Sequence, residues 1–284
     1  MTRSKPFTTV LLYTALSIFA AVTLVPFVYL LFSAFKSQAT FFTFVFWPTD
    51  GAWWQVDWSG FTGKHFKTLF TETGIARATV NSFFLASVTA VGATLCSAMG
   101  GYALAKYRFR GQGVMLWLVM GALAVPAALL LAPGYQVVYW LGLLDSYGGL
   151  ILPALAPAFG VYLFRQAFIS SMPNEMLEAA RVDGCGELRL FFTIALPMVR
   201  PMVGAFLLIT YLGTWNNFIA PQIIIQSPDM LPLSVYVAQL RGPYGTEYGL
   251  IMAGTLIAVA PVLVLFLLLQ RDFIAGLTAG AVKG

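Results

Sequence analysis

The chain has 284 residues, of which 59% are hydrophobic and only 10% charged. A soluble domain of this length carries about 25% charged residues, so the composition excludes one and predicts a protein that crosses a membrane several times. Net charge is +5, but the basic residues stand at the ends of apolar runs, where topology explains them better than a nucleic-acid partner does.

In chain order, Arg3 and Lys5 precede an apolar run over 10–32. The run outlasts a signal-peptide core and no small-residue cleavage site follows it, so it is expected to be a retained first span. A spanning helix needs about 20 mostly apolar residues. Further runs of that kind fall at 79–103, 114–137, 149–168, 201–224 and 250–269. The predicted fold is all-α, one transmembrane domain over 1–284 with six spanning helices. Pro126 and Pro133 interrupt the third run, whose uncharged stretch continues to Leu144, so the pattern does not fix its end.

The segment 33–78 between the first two spans carries Phe41, Phe42, Phe44, Phe46, Trp47, Trp53, Trp54 and Trp58. Aromatic faces can stack on a sugar, yet an interfacial belt with a short amphipathic segment on the membrane accounts for them more simply. His65 stands in the same segment without an identifiable Ser or Cys partner, so catalysis is not expected of it. Cys96 in an apolar run and Cys185 in a polar one predict neither a disulfide nor a metal site.

With six spans, both termini share one side. Lys106, Arg108, Arg110, Arg165, Arg181, Arg189, Arg200 and Arg271 fall there with Arg3, Lys5 and Lys283, while Lys36, Lys64, Lys67, Arg77 and Arg241 fall opposite. The positive-inside rule puts the richer side, with both termini and the segment 170–200, in the cytoplasm.

That segment breaks the hydrocarbon pattern decisively. Pro173 suits a first helical turn, Ser171 a cap, and Glu175 and Glu178 the anion-favouring end of the dipole. Met176, Leu177 and Ala180 form an apolar stripe, and Arg181 stands three residues from Glu178 as a supporting pair. Gly184 is expected to end the helix in a left-handed conformation. A second short helix from about Glu187 carries Leu188, Phe191, Phe192 and Ile194 before Pro197 turns the chain into the fifth span. Asp183 opposes the helix dipole at a cost of about 0.3–1 kcal/mol, which a binding partner or a cap on the next helix would offset. Periodicity alone leaves a plain surface hairpin and a docking element equally open. Within the spans, Asn81, Asn216, Asn217 and Gln222, with Trp215 beside the asparagine pair, either bond across helices or line a pathway.

The run Glu178-Ala179-Ala180, Gly184, Ile194-Ala195-Leu196-Pro197 has the spacing EAA-x3-G-x9-I-x-L-P. It resembles the cytoplasmic loop by which ABC-importer permeases grip their ATPase subunits. Gly213-Thr214-Trp215-Asn216 is similar to the fifth span of the carbohydrate permeases of that family. Leu143-Leu144-Asp145-Ser146-Tyr147, Phe164-Arg165-Gln166 and the tail at 270–284 resemble its maltose-type smaller permease. The likeness runs from about Val80 to the C-terminus, and the first loop matches only loosely.

The resemblance implies that Glu178, Ala179, Ala180, Asp183, Gly184, Ile194, Leu196 and Pro197 couple the chain to an ATPase. Cys185-Gly186 replaces the Ala-Ser of many members, implying a looser second helix. Trp215, Asn216, Asn217 and Asn81 become candidates for the pathway. Gly276, Leu277, Thr278 and Gly280 become candidates for a tail that reaches between two ATPase subunits. The implied partners are a second homologous permease, two ATPase subunits, an extracytoplasmic solute-binding protein and an oligosaccharide or similar solute. Segment 221–249, with Pro228, Pro232, Gly242 and Gly245, is the candidate contact for the binding protein. The chain lacks G-x-x-x-x-G-K-[ST], so ATP and Mg are expected on the partner subunits and no cofactor or metal here. Glycerol-phosphate or an acidic sugar is the alternative cargo. An autonomous secondary carrier is disfavoured by the lack of paired charges within the spans, and a non-transporting scaffold is a further rival.

Overall fold

The computed structural model describes residues 6–47, 49, 55–241 and 247–281. Arg3, Lys5, Trp53, Trp54, Gly242, Gly245 and Lys283, all used above, lie outside them. Among the described residues all regular structure is helical, with two isolated β-bridges. The chain divides into two compact units, Met1–Ala76 with Tyr236–Pro261 and Arg77–Val235 with Val262–Gly284.

In the first unit, α1 (Pro6–Ser33) is apolar throughout and α2 (Lys64–Thr71) is a short amphipathic helix. The loop between them is organised by Lys36, which is fully buried. Its ammonium donates to the carbonyls of Phe44 at 2.6 Å and Val45 at 2.8 Å and lies 5.6 Å from the centre of the Tyr29 ring. With carbonyls and a ring as its partners among the described residues, the buried lysine has its pKa pushed down by desolvation. His65 Nε2 donates to the Lys36 carbonyl at 2.8 Å, so the histidine serves the loop's backbone. Phe41 stacks on Tyr248 at 5.3 Å and is buried, whereas Phe42 and Trp58 are exposed.

The second unit is built around α3 (Ile75–Lys106), which buries Ala86, Ala90, Ala93 and Ala98. Small side chains let helices approach where no hydrophobic driving force pulls them together. Backbone meets backbone closely at Gly101, where a Cβ would stand 2.6 Å from the Arg165 backbone nitrogen. After α3 come α4 (Gln112–Ala124), a 3₁₀ turn (Ala127–Leu130) and α5 (Leu131–Trp140). These limbs are bent by 103°. Pro126 holds Val125 extended, with ψ 122°, and ends α4. Pro133 falls in the first turn of α5, where its missing N–H is harmless.

The fourth run is also divided, into α6 (Tyr147–Ala154) and α7 (Ala158–Ser171) ahead of and behind Pro157. The loop helices α8 (Asn174–Val182), α9 (Glu187–Leu190) and α10 (Leu196–Met198) follow. The expected fifth span is α11 (Arg200–Trp215), and the chain breaks at Asn216–Asn217 before α12 (Ile219–Ile224). Then come α13 (Leu233–Gln239) and α14 (Tyr248–Ala281), whose helical backbone passes the expected end at 269 and takes in the tail. Among the described residues four helices qualify as spans by length and composition, or up to six if each bent pair counts as one.

Candidate functional site

The first candidate is the loop at 170–200. Ser171 closes α7 instead of capping α8, and Pro173, with ψ 146°, stands at the cap position. α8 ends in a Schellman turn. Gly184 has φ +78°, its N–H donates to the Arg181 carbonyl at 3.0 Å, and the Cys185 N–H donates to the Ala180 carbonyl at 3.0 Å. Both Ala180 and Cys185 pack against the core beneath, completing the apolar contact of such a turn. Gly186 caps α9 without a side-chain bond. A π turn at Phe191–Ala195 carries α9 into α10, just ahead of Pro197, which has no N–H for the carbonyl four residues back.

Arg181 does not pair with Glu178 as its spacing predicted. Its Nε donates across the bend to Glu187 Oε1 at 2.8 Å, the other Glu187 oxygen accepts from the Tyr107 hydroxyl, and the guanidinium lies 5.7 Å from the Tyr107 ring centre. Arg181, first, and Tyr107 hold the Glu187 carboxyl below its ordinary range, while burial and then Glu187 push the Tyr107 phenol up. Lys106 Nζ donates to the Met172 carbonyl and to Asn174 Oδ1. The end of α3 thus grips both helices of the bend. The Arg181–Glu187 pair is over a third exposed on each side, so the ion pair itself contributes under about 1 kcal/mol.

The core supplies more of the rigidity. Leu177, Leu190, Phe191 and Ala195 of the loop share one cluster with Tyr102 of α3, Phe164 and Phe168 of α7, and Phe206 of α11. The eight predicted coupling residues divide accordingly. Glu178, Ala179, Asp183, Gly184 and Pro197 are exposed, whereas Ala180, Ile194 and Leu196 pack inward. The outward face also carries Val182 (88% exposed), Leu188 and Phe192. Val182 was not singled out from the sequence, although the helical period places it opposite Leu177 and Ala180.

The four pathway candidates do not form one cluster. Asn81 is buried and bonded on both ends of its amide. Nδ2 donates to the carbonyls of Asp229 at 2.9 Å and Leu231 at 3.0 Å, and Oδ1 accepts from the Tyr147 hydroxyl at 2.8 Å. Trp215 is buried, stacked 6.0 Å from Tyr211 and edge-on to Phe83. Asn216 is exposed and donates back to the Leu212 carbonyl. Asn217 lines a cavity of about 250 Å³ between α5, α6 and α12.

Sequence reasoning quoted Asp145 only within a string of residues. In the structure it is the one non-glycine with positive φ, 51°, among the described residues. Its carboxylate accepts the backbone N–H groups of Gln226 and Ser227 and the Ser227 hydroxyl, bonds that hold its pKa down. Ser82 Oγ accepts from the Leu233 N–H at 2.7 Å. Asp145, Asn81 and Ser82 therefore fasten the strap 225–233 to α3 and to the α5–α6 turn. Gly276, Leu277, Thr278 and Gly280 are helical positions of α14.

Residues 97–275 match the family described as the binding-protein-dependent transport system inner membrane component. The chain belongs to that family. This permease is 39% identical over 229 residues, 80% of its length and 82% of the other's, to the arabinooligosaccharides transport system permease protein AraQ of Halalkalibacterium halodurans. It is 35% identical over 200 residues, 70% of its length and 71% of the other's, to the sn-glycerol-3-phosphate transport system permease protein UgpE of Yersinia pestis. Its fold is similar to a chain of a bacterial ABC transporter involved in the import of the acidic polysaccharide alginate. TM-score is 0.82 at 20% identity, covering 96% of this permease and 99% of that chain. It is an all-α, multi-pass permease subunit of an inner-membrane, binding-protein-dependent importer.

Proposed function

We propose that this permease pairs with a second, related permease and two cytoplasmic ATPase subunits, and moves an oligosaccharide delivered by an extracytoplasmic solute-binding protein. ATP and Mg bind the ATPase subunits, and both termini and the loop at 170–200 face the cytoplasm. The observation that carries this reading is the bent helix pair α8–α9. It is locked at Gly184, rooted in the core shared by α3, α7 and α11, and presents Val182, Leu188 and Phe192 beside Glu178 and Asp183 on its free face. Exposed apolar side chains grouped among charges at a membrane face mark a protein contact. Closure of the ATPase subunits would push on this element, and the shared core would carry the push into the spans as a two-state change.

The cargo reading rests on the relative named for arabinooligosaccharides, with Asn217 and Trp215 as pathway candidates. The relative named for glycerol-phosphate supports an anionic cargo as a second reading. The test is purification of the tagged chain from its host in mild detergent. The native chain should bring down an ATPase, a second permease and a binding protein, and Gly184→Val should retain the second permease while losing the ATPase. A chain recovered alone, or ATPase recovery unaffected by Gly184→Val, would contradict the proposal.

A further inference from the structure

We infer that the cavity between α5, α6 and α12 is a subsite for one ring of an uncharged sugar; the inference rests on the sugar-import reading above. Its volume, about 250 Å³, lies just under the range of about 300–1,000 Å³ that holds drug-sized ligands, a size suited to a single monosaccharide. Leu131, Val138, Pro153 and Ile223 give it apolar walls, against which the C–H face of a sugar ring can lie. Two polar groups stand among them, the Tyr135 hydroxyl and the Asn217 amide.

Neither group is well satisfied within the chain. Asn217 Oδ1 accepts only a long 3.4 Å bond from the Ala220 N–H. Its Nδ2 and the Tyr135 hydroxyl have no partner among the described residues. Asn217 is exposed and Tyr135 half-buried, so both groups are open to a partner supplied by a ligand in the cavity. Sugar hydroxyls, which both donate and accept, supply that partner. No charged side chain lines the cavity, so a phosphate or carboxylate entering it would find no cation. The site therefore takes a neutral ring.

Gly134 adds an independent observation. A glycine inside a helix is less favourable than alanine, and a tight contact or a turn usually offsets it. Gly149 across the cavity has such a reason, because a Cβ there would stand 2.4 Å from the Leu143 carbonyl oxygen. At Gly134 a Cβ would meet nothing within 4 Å, and Gly134 is not among the positive-φ glycines. Gly134 thus stands in the cavity lining with open space where a side chain would begin.

The experiment uses the complete complex in liposomes, with initial uptake of radiolabelled arabinobiose and of lactose as the readout. Gly134→Leu, which adds bulk to the cavity lining, should lower uptake by about tenfold or more, the scale on which pockets reject bulk. Tyr135→Phe, which deletes only a hydroxyl, should raise apparent KM by about tenfold while the maximal rate holds within about twofold. Native-like uptake by Gly134→Leu together with an unchanged KM in Tyr135→Phe overturns the assignment. Loss of the second permease from purified Gly134→Leu complexes overturns it too, because the cavity is then that subunit's seat. A native complex that takes up neither sugar overturns the sugar reading itself, and the cavity's assignment with it.

Discussion

Gly184 was readable from the sequence because a left-handed turn at a helix end has one cheap occupant. With φ at +78°, a β-branched residue there costs about 1–2 kcal/mol, and the loss of ATPase proposed for Gly184→Val is the expected result of a misdirected α9. The partner of Arg181 was not readable. Glu178 and Glu187 are both within reach by composition, and only the tight turn brings Glu187 back over Arg181. That pairing has a pH signature. The Glu187 carboxyl is held below its ordinary value of 4.5, first by Arg181 and then by Tyr107. A depressed carboxyl pKa means the stabilisation is present above pH 4.5 and disappears as pH falls through the lower, folded value. Glu187→Gln should therefore flatten the fall in thermal midpoint of the purified chain between about pH 5.5 and about pH 3.5. Parallel native and variant curves would show that the pair adds nothing to the bend.

At the scale of elements, the apolar runs located the helices, and charged interruptions located the loop. The breaks inside runs were harder to see, since Pro126 and Pro133 look alike in sequence. They differ only in that one falls after α4 and the other in the first turn of α5. The strap 225–233 was invisible, because its fastening comes from residues 81 to 151 positions away in the chain. Asp145 contributes both a left-handed residue and an acceptor, and substitutions separate the two. Glycine keeps the backbone and drops the acceptor, whereas asparagine tolerates the backbone and keeps one acceptor oxygen. Limited proteolysis at 225–233 should quicken severalfold in Asp145→Gly and stay near native in Asp145→Asn. If Asp145→Gly resists as the native chain does, the carboxylate is not the clasp.

At the scale of the molecule, the sequence resemblance supplied the class of machine, and the structure adds a mechanical connection within the second unit. Leu177 and Phe191 in the loop belong to one buried cluster with Tyr102, Phe168 and Phe206, and the Phe191 and Tyr102 rings lie 5.4 Å apart. Motion imposed on α8 and α9 cannot be absorbed in a soft loop, because close-packed interiors shift between discrete arrangements rather than deform continuously. The coupling set inferred from resemblance divides by exposure, with Glu178, Ala179 and Asp183 facing outward and Ala180, Ile194 and Leu196 packed inward. Cargo remained least legible in the sequence, since a cavity between three separated helices cannot be read from any one of them.

The central claim is that the outward face of α8 touches an ATPase. Its most direct test is a cysteine at position 179, introduced by Ala179→Cys in a chain whose Cys96 and Cys185, both free thiols, have been changed to serine. Oxidative crosslinking in native membranes should join this chain to the ATPase subunit, with a yield that changes when ATP is added. A complex that remains intact and active yet gives no crosslink from position 179, while a cysteine on another face of the loop does, would contradict the account.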